Sequence, residues 1–499
     1  MTKPAIPEVD LLIIGGGING AGIARDAVGR GLSVMLVEQD DLASYTSSSS
    51  TKLIHGGLRY LEYYEFRLVR EALIERERLL NMAPHIIWPL RFVLPQSQSP
   101  RPAWMVRLGL FLYDNIGGRK ELPGTDTIDL SSDLKGSGLK DGGKAFVYSD
   151  CWVEDSRLVA LNAMDAAARG ADIRTRTKLI AGRADGDEWI ATIEDKDGTH
   201  EVRAKMLINA AGPWVDEMLR TLGRAKNDRG VRLVKGSHII VPKLYDGDHA
   251  FMLQNPDRRI VFAIPYEHDY TLVGTTDEPW QAAPGKAEIS ESETEYLLDT
   301  ANRYFETQVG KGDVKWSYAG IRPLYDDHAA NASAVTRDYV LDLEKGEPGR
   351  PPMLSIFGGK ITTFRKLAEH AMQEISGIFP KMGRAWTAGI TLPGGEIARG
   401  DFEGFVDTLS VRYPQLPAAL LRRYARAYGA RTHVLIGGAA TLDELGRDFG
   451  GGLYQAEVDY LVEHEWARSA EDILWRRTKM GLHVPAGTAE AVEAYLATR

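Results

Sequence analysis

An α/β architecture of several domains is predicted by three observations: an N-terminal strand that runs through a glycine turn into a helix, a strand-rich stretch between Val231 and Asp338, and a tail beyond Gly394 in which helical segments dominate. The chain of 499 residues is also too long for one ordinary domain. The first passage is the most specific. Asp10-Leu11-Leu12-Ile13-Ile14 leads into Gly15-x-Gly17-x-x-Gly20, and a second apolar run, Leu32 to Val37, ends in Glu38. Gly15 permits the tight turn, Gly17 lets backbone approach a pyrophosphate, and Gly20 lets helix and strand pack closely. The helix N-terminus then faces the phosphates and Glu38 takes the ribose hydroxyls. Glycines, both strands and the acid together predict a bound FAD or NAD.

Along the chain, Gly22 to Arg30 reads as the first crossover helix, and a hydroxyl-rich run, Ser44 to Thr51, precedes Lys52-Leu53-Ile54-His55-Gly56-Gly57. Hydroxyls and free backbone N–H groups suit the surroundings of a cofactor, and Gly56-Gly57 suits backbone lying against a flat ring; a polar surface loop is the alternative. Apolar spacing over Glu65 to Met82 predicts a helix. From 84 to 150 proline and glycine rise and the βαβ rhythm stops. A helix follows over Ser156 to Arg169, and a strand over Ala204 to Asn209 ends in Ala210-Ala211-Gly212-Pro213, which either passes beneath the cofactor or is an ordinary strand exit. Strands are predicted over Ser237–Val241, Arg259–Ile264, Tyr270–Val273 and Ser333–Thr336, forming a mixed sheet. Met353 to Phe357 is another strand, followed by the pair Gly358-Gly359 and a helix start. Pro417–Tyr428, Gln455–Glu465 and Ala470–Arg477 read as helices of the tail.

Bulk composition excludes several classes. A net charge of −9 argues against a nucleic-acid partner, which demands a broad basic surface. The single cysteine, Cys151, makes neither an intramolecular disulfide nor an iron–sulfur or all-cysteine zinc site, which points to a reducing compartment. Met1 to Asp10 lacks the apolar run of a signal peptide, and no stretch of about eighteen apolar residues predicts a spanning helix. No metal site is expected. One segment is unusual: Arg101 to Asp114 sets Trp104, Leu108 and Phe111 among cations. From 91 to 120 there are Arg91, Arg101, Arg107, Arg119 and Lys120 against the single acid Asp114, which suits an anionic bilayer surface. A buried helix joining two domains is the alternative.

Seven motifs, read together, resemble the FAD-dependent respiratory glycerol-3-phosphate dehydrogenases over the length of the chain. They are Ile14 to Gly22, Thr51 to Glu62, Lys235-Gly236-Ser237-His238, Gly274-Thr275-Thr276-Asp277, Gly320-Ile321-Arg322-Pro323-Leu324, Thr336-Arg337-Asp338-Tyr339 and Phe357 to Thr363. The resemblance implies a glutathione-reductase-like FAD-binding fold of the D-amino-acid-oxidase type. It divides the chain into a discontinuous FAD domain over 8–83, 151–230 and 340–390, a substrate or cap domain over 84–150 and 231–339, and a helical domain over 391–499. It also implies noncovalent FAD, oxidation of sn-glycerol 3-phosphate to dihydroxyacetone phosphate, electrons passed to membrane quinone, and a dimer on the cytoplasmic face of the inner membrane. A glycerol-3-phosphate oxidase that reduces oxygen to peroxide would use nearly the same residues and stays open, as does, remotely, a nonenzymatic FAD redox sensor.

On that footing the residues take roles. Arg59 and Arg337 are assigned to the substrate phosphate, because a guanidinium fork gives two parallel hydrogen bonds; Tyr60 orients the substrate. Arg322 and Lys360 belong near the reacting carbon. His238 is the first candidate for the base that takes the hydroxyl proton, and Arg322 stabilises the oxygen as charge develops. The cofactor is expected against Gly15, Gly17, Asn19, Gly20, Glu38, Ser47, Ser48, Ser49, Lys52, Leu53, His55, Gly56, Gly57, Ala211, Gly212, Gly359, Lys360, Ile361 and Thr362. The turn from Gly359 into a helix supplies N–H groups toward the reduced flavin ring.

Overall fold

Strand Glu8–Ile14 is the centre of the first sheet in the computed structural model, which describes residues 6–225, 230–326, 338–398 and 400–499. Its apolar residues Leu11 to Ile14 are buried on both faces, as a strand covered on two sides requires. Val34–Val37 and Gly198–Asn209 flank it in parallel, with Leu12 opposite Met35 on one side and Leu207 on the other. Asp172–Arg174 continues the sheet beyond Val34–Val37, and Met353–Phe357 lies parallel beside Gly198–Asn209. Val340–Glu344 closes that edge antiparallel. A hairpin, Lys178–Asp185 and Glu188–Asp195, pairs with the first half of Gly198–Asn209.

Helix Ile18–Gly29 packs against both Asp155–Ala168 and Phe364–Glu374 beside this sheet. Ile18–Gly29 lies deep in that core: Ala21, Ile23, Ala24 and Ala27 are fully buried, and the small residues let the neighbours approach. It starts four residues before the expected Gly22, at Ile18, directly after the extended cap residue Gly17.

The second sheet is mixed. Its order is Glu278–Pro279, Gly230–Pro242, Tyr270–Gly274, Ile260–Tyr266, Ala250–Gln254, Ile87–Pro95, Lys144–Val153 and Leu53–Ile54. Trp316–Asp326 adds to Gly230–Pro242, with Tyr318 opposite His238. The junction of Ala250–Gln254 with Ile87–Pro95 is parallel. Helix Glu291–Tyr304 buries Leu297, Leu298 and Ala301 against one face of it. It begins with a reciprocal cap, Ser290 accepting from the Glu293 N–H while Glu293 accepts from the Ser290 N–H. Phe66–Met82 and Ala103–Ile116 cover the other face through Val69, Leu73, Leu110 and Tyr113.

The tail folds as helices Phe402–Arg412, Ala418–Tyr428, Thr432–Ile436, Gln455–Glu465 and Thr488–Leu496, with a π-helical turn over Asp472–Arg477. Its apolar residues join the core of the first sheet's helices. Buried charge bridges the two: Arg157 forks Glu465 with both bonds at 2.8 Å, and Arg477 forks Asp41 at 2.7 and 2.8 Å. The expected strand Ser333–Thr336 and Arg337 lie outside the described residues.

Candidate active site

The carboxyl ends of strands Glu8–Ile14, Val34–Val37, Gly198–Asn209 and Met353–Phe357 open into one crevice, the place where open parallel sheets take ligands. Gly15 turns at φ +112, and a Cβ there would stand 2.5 Å from the Ala210 carbonyl oxygen. A Cβ on Gly20 would fall 1.9 Å from the Gly15 carbonyl oxygen, so helix and turn pack as closely as the sequence demanded. Glu38 accepts from the backbone N–H of Gly16 at 2.6 Å and of Asp40 at 2.9 Å. Burial raises its pKa to about 7, against the pull of those two donors.

The hydroxyl-rich run forms the outer wall. Ser47 Oγ accepts from the Ile18 N–H at 3.0 Å, which holds the run over the helix start. Thr46 Oγ1 donates to the Ile321 carbonyl at 2.6 Å, tying the wall to the second sheet. Opposite, Asn19 Nδ2 donates to the Gly358 carbonyl at 3.0 Å, while Asn19 Oδ1 is buried without a partner. The crevice thus gathers Gly15, Gly17, Asn19, Glu38, Ser47, Ala211, Gly212 and Gly359. Backbone exposed by glycine, an unpartnered amide oxygen and an acid at the ribose position fit a dinucleotide.

Other expected cofactor residues take other places. Ser48 and Ser49 donate to the Tyr45 carbonyl and line an adjoining groove. Lys52 is fully buried, with Nζ donating to Asp155 Oδ1 at 2.9 Å and to the Ser48 carbonyl at 3.1 Å. Leu53 is a buried strand residue opposite Trp152. His55 to Gly57 and Lys360 to Thr362 meet each other: the His55 N–H donates to Thr362 Oγ1 at 3.2 Å. The His55 ring is held below the ordinary histidine value, by burial first, with the Lys360 and Arg76 charges adding to it and Asp150 opposing.

His238 stands on strand Gly230–Pro242, buried, with its ring stacked on Tyr318 at 4.7 Å. Nε2 is 3.0 Å from Thr51 Oγ1, and Nδ1 is buried without a partner. Gly274 lies opposite, where a Cβ would reach within 2.1 Å of the imidazole. Burial, then the Lys52 and Arg322 charges, hold the ring well below the ordinary value of 6.5, so the imidazole is neutral. Arg322 donates to the Thr276 carbonyl at 2.9 Å and to Asp277 Oδ1 at 3.1 Å, and it is half-exposed. Lys360 Nζ rests 3.9 Å over the Tyr60 ring. Neither Lys360 nor Arg59 has a carboxylate partner among the described residues, and Arg59 Nε is buried without an acceptor. Tyr318 has no role in the sequence reading, and Thr51 has one only within the hydroxyl run. Thr51 closes a hydroxyl run that was legible, whereas Tyr318 is visible only through strand register.

Residues 10–365 match the family model described as FAD dependent oxidoreductase, and residues 385–498 match the C-terminal domain of alpha-glycerophosphate oxidase. A Pseudomonas aeruginosa glycerol-3-phosphate dehydrogenase is 52% identical, over 99% of this chain and 96% of its own. The chain belongs to the FAD-dependent glycerol-3-phosphate dehydrogenase family. Within this family, the aerobic glycerol-3-phosphate dehydrogenase of Escherichia coli is 49% identical over 98% of this chain and 97% of its own. A D-erythritol 1-phosphate dehydrogenase of Brucella abortus is 56% identical over 96% of each. The solved glycerol-3-phosphate dehydrogenase of Bacillus halodurans, complexed with FAD, superposes with a TM-score of 0.76 at 27% identity, covering 98% of this chain and 94% of that one. The chain is therefore that of a flavoenzyme, and the fold is the α/β, D-amino-acid-oxidase type with a mixed-sheet second domain and a helical tail.

Proposed function

We propose that this flavoenzyme oxidises sn-glycerol 3-phosphate to dihydroxyacetone phosphate and passes the electrons to membrane quinone. One observation carries the substrate class: Arg59 and Lys360 present positive charge without a carboxylate partner among the described residues, in the loops that meet beside the FAD crevice. Cations without a carboxylate partner among the described residues suit an anionic ligand, and a guanidinium fork suits phosphate. Arg337, assigned to the same phosphate, lies outside the described residues.

FAD, when bound, supplies the hydride acceptor at flavin N5. The chain's own groups do the rest. In the tautomer that donates Nε2–H to Thr51 Oγ1, 3.0 Å away, His238 keeps a lone pair on Nδ1, and this takes the proton of the C2 hydroxyl. Arg322 balances the negative charge that develops on that oxygen. Tyr60, pinned beneath Lys360, orients the chain of the substrate. Tyr318 and Gly274 close the two sides of the imidazole and hold its plane.

The Brucella relative supports a second reading in which the substrate is a four-carbon polyol phosphate. Both readings share the phosphate and the secondary alcohol. The test is to purify the yellow protein, exclude oxygen, and follow flavin bleaching on adding glycerol 3-phosphate or D-erythritol 1-phosphate. Bleaching by glycerol 3-phosphate is expected. Failure of both donors to bleach the flavin overturns the assignment, and bleaching by the erythritol ester alone moves it to the second reading. Reoxidation by quinone should outrun that by oxygen; the reverse order would make the enzyme an oxidase.

Membrane association rests on helix Ala103–Ile116. Trp104, Leu108 and Phe111 are 68%, 53% and 55% exposed along one face, beside the exposed Tyr63, Tyr64 and Phe66. Arg101 and Arg107 border that face. No helix among the described residues is long and apolar enough to cross a membrane. A face of this kind lies flat in an anionic bilayer surface, and the enzyme is read as a peripheral protein of the cytoplasmic leaflet. Replacing Trp104, Leu108 and Phe111 by serine is expected to leave it in the supernatant when phosphatidylglycerol vesicles are sedimented. Unchanged co-sedimentation would remove this assignment.

A further inference from the structure

The helix with the exposed apolar face also reaches the substrate loop from behind. Val106, Leu110 and Tyr113 form its buried stripe, opposite Trp104, Leu108 and Phe111. Tyr113 is the last of that stripe, and its hydroxyl accepts from the Gly56 N–H at 2.7 Å. The same hydroxyl donates to Asp150, whose oxygens lie at 2.7 and 2.9 Å. Its direction is fixed by chemistry. Asp150 is a buried carboxylate that takes a second bond of 2.7 Å from Arg76, so it only accepts, and the phenol proton must point to it. The oxygen lone pair is what remains for Gly56, whose N–H makes its short bond there and a longer one, 3.4 Å, to Asp150 Oδ1.

Gly56 has no room to choose another position. A Cβ there would stand 2.4 Å from Leu73 and 2.7 Å from the Tyr113 oxygen. The next residue, Gly57, turns at φ +73, and its carbonyl accepts from the Tyr60 N–H at 2.8 Å. The position of the Gly56 peptide is thereby passed to Arg59 and Tyr60. A second tie joins the far end of the loop to the start of the helix, where Arg101 donates to Glu62 Oε2 at 2.9 Å.

We infer that Tyr113 is a positioning residue through which the membrane-docking helix sets the substrate loop, so that seating the helix on a bilayer tightens the grip of Arg59 and Tyr60 on the substrate. The inference rests on the reading above, in which the exposed face docks on a bilayer and Arg59 binds phosphate. A purely structural role for Tyr113 would shift stability and leave the substrate's KM and its response to lipid alone.

The experiment compares the FAD-loaded parent with Tyr113→Phe, each with and without phosphatidylglycerol vesicles. In the parent, vesicles are expected to lower the KM for glycerol 3-phosphate. In the variant the KM should rise about tenfold, as for loss of a buried hydrogen bond in a charged network, and no longer respond to vesicles, with kcat, FAD content and co-sedimentation kept. A variant whose KM and vesicle response equal the parent's overturns the inference, as does a parent that binds vesicles with no change in KM. Hydrogen exchange in the parent tests it without a substitution: the Gly56 amide should exchange more slowly on vesicles, and an unchanged rate counts against it. A parent that fails to sediment or to bleach rejects the docking or substrate reading, and the inference falls with it.

Discussion

Anaerobic bleaching of the flavin by glycerol 3-phosphate is expected to slow about 10²- to 10⁴-fold when His238 becomes asparagine, the range for loss of a general base. FAD should stay bound, because His238 lies on a strand of the second sheet and does not line the crevice. The amide side chain preserves a hydrogen-bonding group toward Thr51 and removes the basic nitrogen. The pH dependence of the parent follows from the sign of the shift. Burial and the neighbouring Lys52 and Arg322 charges hold the imidazole well below 6.5, so protonation does not silence it as pH falls through that value. The bleaching rate should stay level there and decline only well below it. A group of low pKa is a weak base, so the reaction also needs Arg322 to take the developing charge. Near-normal bleaching by the asparagine variant would put the base on another group, and a parent rate that halves at an ordinary histidine pKa would contradict the buried setting.

How much of this was legible in the sequence depends on the distance over which residues act. Local signals were sufficient for the glycine turn, for strand Met353–Phe357 and for helix Gln455–Glu465, whose bounds the structure reproduces. Each is an uninterrupted apolar or periodic run with glycine or a charge at its ends. Helix Glu291–Tyr304 went unread although Ser290-x-x-Glu293 announces its start. The hairpin over 178–195 went unread although Asp185-Gly186 marks its turn, and the strand Trp316–Asp326 is half-buried along most of its length and shows no clear alternation. What no local pattern carries is pairing. Thr51 meets His238 across 187 positions, and Asp41 meets Arg477 across 436. The crevice at the strand ends was therefore legible in its glycine turn, Asn19, Glu38 and Ser47, since one supersecondary unit builds that side of it. The imidazole's environment was not, since strand register places Tyr318, Gly274 and Thr51 around it.

Lys52 shows the same division, and its replacement by methionine is the second large expected effect. In sequence it is a cation beside a hydroxyl run, which reads as a cofactor contact. In the fold its ammonium and the Asp155 carboxylate are both fully buried and 2.9 Å apart, with the ammonium 4.9 Å over the Tyr318 ring. Asp155 also accepts from Ser50 Oγ at 2.7 Å and from the Ser156 N–H at 2.8 Å, so the pair is part of a satisfied network. Methionine keeps the length of the side chain and leaves the carboxylate buried without its direct ion-pair partner, with only the more distant Lys479 charge nearby, which costs about 3–5 kcal/mol. A large fall in the thermal midpoint is expected. Converting Asp155 to leucine in the same protein should restore much of it, because the orphaned charge is then gone. The state of the cofactor separates this account from a phosphate-binding one. An ion pair that supports the fold lowers the midpoint with FAD bound and after FAD is stripped away, whereas a cofactor contact lowers it only when FAD is present. A stripped Lys52→Met protein that melts with the stripped parent would return Lys52 to the cofactor.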